Sequence, residues 1–501
     1  PSPPKAAQNG GGRAGGVCLT RGEGFPIIEK MTGGLWAIGR RAAPVIDLNN
    51  IASYQENNRI EAKKAAGGFP HSLWETYSAF ANTIGGVILL GVEERADKSL
   101  RITGVPDGPG YARVFWQTVQ DPAKVSQNIL RPEDVALHQV EGKEILVISV
   151  PRATRRQRPV YIGDSPFTGS YRRDGEGDYH CSADEVRAML RDRDDAPADL
   201  AVLSGRNRSD LSSDTLRQFR LLMAMRQPDH PGNYLPDERF LPAVGITGPE
   251  GLHPTLAGLL LLGKRKALRE VFPQFRLEYQ EEDTGFRLAT IRPGAPENVF
   301  SFYMMVSHRL TAVSALLAQT PREREELAGA MREAVLNAIL HADYFSRGGL
   351  TIRRRAGELL VSNGGLLRVS PDQARTGQAA DPRNRGLIQL FSLVKLATGT
   401  GKGLRGIYSL WDRRGWRPPV LSETFSADRT DLSLPLPPRE FSAEELTRQQ
   451  VIEYLTDHVT AGVKTLAQGL GLSEGEIQGA LDQLMGRELV VRAGRGYRLR
   501  A

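Results

Sequence analysis

Two kinds of hydrophobic spacing alternate along this chain. Val87–Val92 (VILLGV) is an unbroken apolar run behind Gly85-Gly86, too short for a helix and suited to a buried strand. Just before it, Ser72–Thr83 (SLWETYSAFANT) carries Leu73, Trp74, Tyr77 and Phe80 at helical spacing. Ser182–Arg191 predicts a closing helix. Asp214–Lys266 is helical around a Pro/Gly-rich middle at Gln227–Pro236, and Glu323–Tyr344 predicts one long helix. Near the end, Ala443–Asp457, Lys464–Leu470 and Ser473–Gly486 read as three helices. Leu489–Leu499 (LVVRAGRGYRL) reads as a hairpin turned at Gly494–Gly496.

These patterns divide the chain. Residues 1–24 are dense in Gly and Pro with little to bury, and the segment 1–44 is expected to be a disordered leader; Met31 is the first methionine. An α/β block follows at 45–195. It ends in the charged run Arg191–Ala196 before Pro197, which reads as a linker. A helical or winged-helix-like connector occupies 196–270, a second α/β block 271–438, and a small unit 439–501 after Pro435, Pro437 and Pro438. The expected class is therefore α+β multidomain, in keeping with 501 residues at about 150 per domain. Two cysteines, Cys18 and Cys181, exclude a disulfide scaffold and suit a reducing cytoplasm. No apolar run reaches the roughly 18 residues of a membrane span. The net charge of +7 permits nucleic-acid binding without requiring it.

The first block carries candidate chemistry. Glu56 precedes a short strand in which Glu61 and Lys63 share a face, and Glu93-Glu94 end the apolar strand. Carboxylates there need solvent, a cation or a metal. The string E-x3-I-E-A-K, then SAFANTIGGVILLGVEE, VISVPR at Val147–Arg152 and YRRDGEGDY at Tyr171–Tyr179 resemble the Schlafen AlbA-like domain over about Leu48–Arg191. In nuclease members of that family three acidic residues bind Mg²⁺ or Mn²⁺, which polarises phosphate and activates water. By position these are Glu56, Glu61 and Glu94, with Lys63 placed to stabilise developing charge; Glu94 stands where the family has Asp. The other reading is a surface pair and a solvated strand end. Arg152, Arg155, Arg156 and Arg158, joined by Arg172 and Arg173, read either as phosphate contacts or as a solvated basic loop.

In the second α/β block the helix segment AVLNAILHA (334–342) is apolar on nearly every face, yet Glu333, Asn337 and His341 interrupt it at i, i+4 and i+8. Buried polar groups need partners, supplied by a ligand in a cleft or by a bracing network. Glu-x-x-x-Asn resembles the N-box of the GHKL ATPase fold, an α/β sandwich in which the Glu activates water and the Asn binds Mg²⁺. His341 and Asp343 (HADY) and Asp381-Pro382-Arg383-Asn384 match the branch found behind Schlafen-like domains. Ser362-Asn363-Gly364-Gly365 resembles the first glycine box, with Asn363 where other members carry the adenine-reading Asp. Gly399-Thr400-Gly401-Lys402-Gly403-Leu404 resembles the second, whose glycines admit phosphate to backbone N–H groups. The resemblance implies ATP as ligand and a homodimer.

Gly258-LLLL-Gly263-Lys264-Arg265 imitates a phosphate loop, but four leucines make it a buried segment and Arg265 replaces the hydroxyl that holds Mg²⁺. Although relatives are often labelled RecG-like, nothing here supplies a helicase motor. The last unit has the order of a winged helix-turn-helix, with Ser473 as N-cap of its third helix. Glu474 and Glu476 make that helix acidic, while Arg492, Arg495, Arg498 and Arg500 lie on the wing, which favours backbone contact or a docking role. Together these features predict a cytoplasmic DNA- or RNA-binding regulator of transcription or defence with a nucleotide cleft. The alternatives are a metal-dependent endonuclease acting on tRNA or single strands, and an inert dimeric scaffold.

Overall fold

The computed structural model describes residues 46, 48, 51, 55–282, 285–290, 295–318, 320–355, 357–399, 401–436, 443–458, 460–487, 489–494 and 496–499. The expected leader, Cys18, Thr400, Arg495 and Arg500 lie outside them.

The first block is built on a four-stranded sheet with the order Ile60–Lys63, Gly86–Leu90, Lys143–Val150, Val135–Val140. The first pair is parallel and the others antiparallel. Both faces are covered, which is why the central strand is apolar without alternation. Ile88 and Leu90 face a cluster with Leu73, Tyr77, Phe80 and Phe115, while Val87 and Leu89 face a second with Ile60, Ile102 and Ile145. The helix Ser72–Asn82 lies on the first face. The glycines after it permit close approach: a Cβ on Gly86 would sit 2.7 Å from the Phe80 ring, and Gly85 has φ +74° with its Cβ direction 2.7 Å from the Val150 carbonyl oxygen. The helix Ala183–Arg193 closes the block, with Ser182 and Glu185 in a capping box.

A six-stranded mixed sheet organises the second α/β block, in the order Arg287–Ala289, Leu277–Glu281, Leu350–Arg355, Glu358–Gly364, Arg429–Pro435, Val420–Thr424. The long helices Val299–Leu317 and Pro321–His341 pack on each other and supply much of its core. The connector is not a separate body. One continuous cluster runs from Leu211 through Phe219 and Leu259–Leu262 to Val361, Trp411 and Leu436. The helix Leu256–Leu262 is buried at every residue, and the Lys264 ammonium donates to the Ser209 carbonyl at 2.8 Å, so the phosphate-loop look-alike is core.

The last unit comprises helices Ala443–Asp457, Val463–Leu470 and Glu474–Gly486 and the hairpin Val490–Ala493/Gly496–Leu499. Ser473 caps the third helix by accepting from the Glu476 N–H. Its small core meets Ala312 and Leu316 of the helix Val299–Leu317, so the unit is seated on the second α/β block through apolar side chains. Among the described residues no helix is long and apolar enough to cross a membrane.

Candidate functional site

The strand Ile60–Lys63 brings Glu61 to the sheet edge, beside Glu56 and Glu94. Burial raises the Glu56 carboxyl above its ordinary range; Glu61 and Glu94 add to the rise, against the Ala62 N–H it accepts at 2.9 Å. Glu56 therefore senses both of the others. The three carboxylates do not assemble into a metal cage: among the described residues no three His, Cys, Asp or Glu side chains are grouped to hold a metal ion. Glu61 is already neutralised, with Oε1 2.6 Å from Lys63 Nζ and Oε2 2.8 Å from the Arg173 guanidinium. Glu94 lies 3.5 Å from Lys98. The donor set as arranged does not fit Mg²⁺ or Mn²⁺, because Glu61 is paired with Lys63 and Arg173 and the three carboxylates are not grouped. Lys63 is committed to the same pair.

Arg173 is the centre of that arrangement. Its side chain is 1% exposed, pairs with Asp178 at 3.0 Å, donates to the Asn57 carbonyl at 2.8 Å and lies over the Phe80 ring. Its placement in a nucleic-acid surface is thereby corrected. Arg172 pairs with Asp174 and Glu185, each at 3.0 Å. Asn82, which sequence reasoning left without a role, donates to the Val160 and Tyr171 carbonyls and accepts from the Val160 N–H. It fixes the strand that carries Arg173; its signal was a polar residue on the buried face of an apolar helix.

The basic loop is also not free. Arg152 grips Glu423 of the second α/β block through two nitrogens, at 2.5 and 2.9 Å, and donates to the Leu367 carbonyl. Arg155 pairs with Asp381 of that block and with Asp195 at 2.7 Å. Arg158 is buried, and burial together with neighbouring Arg152 pulls it down to about 9. Arg152 and Arg155 seal a junction rather than face phosphate, since carboxylates far away in sequence fold onto them, and Arg158 is buried. Arg156 is 68% exposed and, with Arg492 and Arg498 on the hairpin, remains on the surface. The expected linker is part of the same junction: Asp192 holds Arg368 at 3.0 Å and Arg383 at 2.6 Å.

A cleft with about 790 Å³ of empty space, mouth included, opens between the helix Pro321–His341 and the sheet. Asn337, His341, Asn363, Gly401 and Thr430 line it together with Val361, Leu404, Leu421 and Leu432, and Arg368, Asp381 and Arg383 form one wall. Asn337 Nδ2 donates to Glu333 Oε1 at 3.3 Å, and burial raises the Glu333 carboxyl against that hydrogen bond. Glu333, Lys402 and Gly403 face a neighbouring hollow of about 810 Å³. Gly399 and Gly401 have φ +64° and +68°, a left-handed backbone that glycine adopts without strain. Burial first, then Arg383 and Arg368, pulls the His341 imidazole down to about 4, so it is neutral at neutral pH.

Other residues of the resemblance lie outside the cleft. Asp343 turns to Arg191 at 2.7 Å, because the chain reverses at Ala342 and directs the carboxylate to the junction. Gly364 and Gly365 serve packing: a Cβ on Gly365 would lie 2.9 Å from the Arg383 guanidinium, and one on Gly364 2.7 Å from Ser346. Asn363, which does line the cleft, donates to the Gly364 carbonyl at 2.9 Å. Asn384 donates to the Ile339 and Ala342 carbonyls and ties the end of the long helix.

Residues 56–182 match the family described as Schlafen, AlbA_2. Residues 187–278 match a family described as a domain of unknown function (DUF8451), which begins in the closing helix of the first block and ends in the strand Leu277–Glu281. The crystal structure of the DIP2311 protein from Corynebacterium diphtheriae is similar at 18% identity over 88% of this chain and 92% of that one, with a TM-score of 0.38. The solution structure of the N-terminal domain of a RecG-related protein from Nitrosomonas europaea is 34% identical over 27% of this chain and 90% of that one, with a TM-score of 0.22. No curated protein matches this chain. The first block is thus a Schlafen AlbA_2-type domain.

Proposed function

We propose, from a chain whose first block is a Schlafen AlbA_2-type domain, that this protein is a nucleic-acid-associated regulator whose central cleft takes a nucleotide. The observation that carries the reading is the meeting of Asn337, His341, Asn363 and Gly401 in one cleft with an apolar wall. An apolar cleft with a few convergent polar groups is the usual form of a small-ligand site. Val361, Leu421 and Leu432 would receive a base, with the Asn363 amide at its edge. Asn337 and the Gly401–Lys402 backbone would receive phosphates, and Glu333, joined to Asn337, lies where a water could be held. These elements correspond to a GHKL-type module, for which ATP is the expected ligand. DNA or RNA would be met by the surface arginines Arg156, Arg492 and Arg498, the last two on a winged-helix-like unit. The nuclease alternative is weaker, because Glu61 is neutralised by Lys63 and Arg173.

The test pairs ligand and nucleic acid. ATP with Mg²⁺ is expected to raise the melting temperature of the wild-type chain and to leave Asn337→Ala unchanged. A labelled single-stranded oligonucleotide is expected to bind with a salt-dependent affinity and to remain uncut with Mn²⁺. No ATP shift in the wild type refutes the cleft reading. Mn²⁺-dependent cutting that Glu61→Ala abolishes would establish the nuclease instead.

A further inference from the structure

The cleft and the first block share a wall. Arg368 and Arg383 line the cleft, and the carboxylate that neutralises both, Asp192, belongs to the closing helix of the first block. Asp381 lines the same cleft and holds Arg155 of the first block. Arg383 also donates to the His341 carbonyl at 2.9 Å and the Leu366 carbonyl at 2.5 Å, so it fixes both the helix end and the loop beside Asn363. Its side chain is 10% exposed and that of Asp192 is 13% exposed. With the first block undocked, Arg383 and Arg368 would lose the Asp192 carboxylate. Without the carboxylate that orients them, the two guanidinium groups would no longer hold the loops beside the cleft in one arrangement. The cleft is lined by the second α/β block alone, and the first block reaches it through Asp192, which holds two of the lining arginines.

The same docking covers the basic loop. Arg152 is committed to Glu423 and Arg155 to Asp381 and Asp195, and none of these guanidinium groups is open to a phosphate. The junction is dominated by charge: the apolar cluster of the first block and that of residues 211–436 are separate among the described residues. The last unit, in contrast, shares apolar contacts with the helix Val299–Leu317. The first block is therefore the part that can leave without exposing a core.

We propose that a nucleotide in the cleft and docking of the first block stabilise one another through Asp192, so that the ligand keeps Arg152 and Arg155 masked and its loss releases them to nucleic acid. This rests on the reading of the cleft as a nucleotide site. A ligand that binds the docked arrangement better must strengthen docking by the same factor, and such factors are usually about 5- to 150-fold.

The experiment uses the full chain, ATP and a fluorescein-labelled single-stranded oligonucleotide. In the wild type ATP is expected to slow amide exchange in the helix Ala183–Arg193 and to weaken oligonucleotide binding by about fivefold or more. In Asp192→Asn, ATP is expected to bind at least about fivefold more weakly, and oligonucleotide binding becomes tighter and insensitive to ATP. Asp192→Glu, which keeps the charge, is expected to recover part of the coupling, and Glu423→Gln to tighten oligonucleotide binding with less effect on ATP. Glu133→Gln, in the first block away from the junction with its side chain 67% exposed, is the control for folding and is expected to behave as the wild type. If ATP binds the wild type and Asp192→Asn equally, or leaves oligonucleotide binding unchanged, the coupling is overturned while the cleft reading stands. If ATP fails to bind the wild type, the cleft reading falls and takes the coupling with it.

Discussion

Glu281 gives the sharpest prediction on how the second α/β block holds together. It lies in the strand Leu277–Glu281 at 1% exposure. Oε1 accepts from the Tyr279 hydroxyl at 2.7 Å and Arg309 Nε at 3.0 Å; Oε2 accepts from Arg309 Nη2 and Arg354 Nη2, both at 3.0 Å. Burial alone would raise this carboxyl, but the Arg309 hydrogen bond and the charges of Arg354 and Arg309 outweigh it and bring it from 4.5 to about 2. A depression of that size corresponds to roughly 3 kcal/mol. The contribution is complete above the unfolded value near 4.5 and is lost as pH falls toward 2. Glu281→Gln removes the charge and leaves Arg309 and Arg354 buried beside a neutral amide, a loss of about 3–5 kcal/mol at neutral pH. The fold contains several cores, so one unfolding free energy is ill-defined and regional amide exchange is the suitable assay. The strands Leu277–Glu281 and Leu350–Arg355 should exchange markedly faster in Glu281→Gln, and their stability should no longer fall between pH 4.5 and 2. Glu282→Gln is the control, since its pair with Arg355 is 43% exposed on each side and should leave exchange unchanged. If Glu281→Gln and Glu282→Gln exchange alike, the reasoning fails.

Arg173→Met should destabilise the first block by roughly 3–5 kcal/mol, because it removes the cation of partly buried Asp178 and leaves Glu61 with Lys63 alone, whereas Arg156→Ala should leave its urea unfolding midpoint almost unmoved. His341 is neutral in the fold down to about pH 4 but protonates near 6.5 when unfolded. Acid therefore favours unfolding progressively from pH 6.5 toward 4, by about 3 kcal/mol at the lower end. His341→Gln should flatten the pH dependence of amide exchange in the helix Pro321–His341 over that interval, and an unchanged slope would contradict the assignment.

Local features were legible where a short window determines them. Leu73, Tyr77 and Phe80 showed the helical face that meets the first core, and the apolar run after Gly86 showed a strand covered on both sides. Ser473 announced the last helix because a cap is settled within three residues. Partners distant in sequence were not legible. Arg152 and Arg155 belong to a charge run and are neutralised by Glu423 and Asp381, and nothing near position 152 encodes either. The run therefore read as a phosphate surface or a solvated loop. Asp192 read as part of a linker because charge and a following proline suggest exposure, although two arginines of the second block enclose it. Glu333, Asn337 and His341 were identified as one stripe; which of them reach the cleft depends on how the glycine loop folds against that helix.

The two attachments to the second α/β block differ in what separation exposes. Parting the last unit would open Ala312 and Leu316 to water, an apolar loss that salt does not relieve. Parting the first block would return Arg152, Arg155 and Asp192 to solvent, where hydration offsets much of what their ion pairs contribute. A charged junction is thus stable when every partner is in place and collapses when one is withdrawn. That combination suits a contact made and broken by a ligand better than one fixed at folding. It also implies that salt and nucleic acid act on the junction in the same direction. Phosphates compete with Glu423 and Asp381 for the same guanidinium groups, and added ions screen their mutual attraction in proportion to its exposure. Since Arg152 is 11% exposed and Arg155 8%, screening reaches them only after the contact has begun to open. Release should accordingly be cooperative, with the two arginines freed together rather than one at a time.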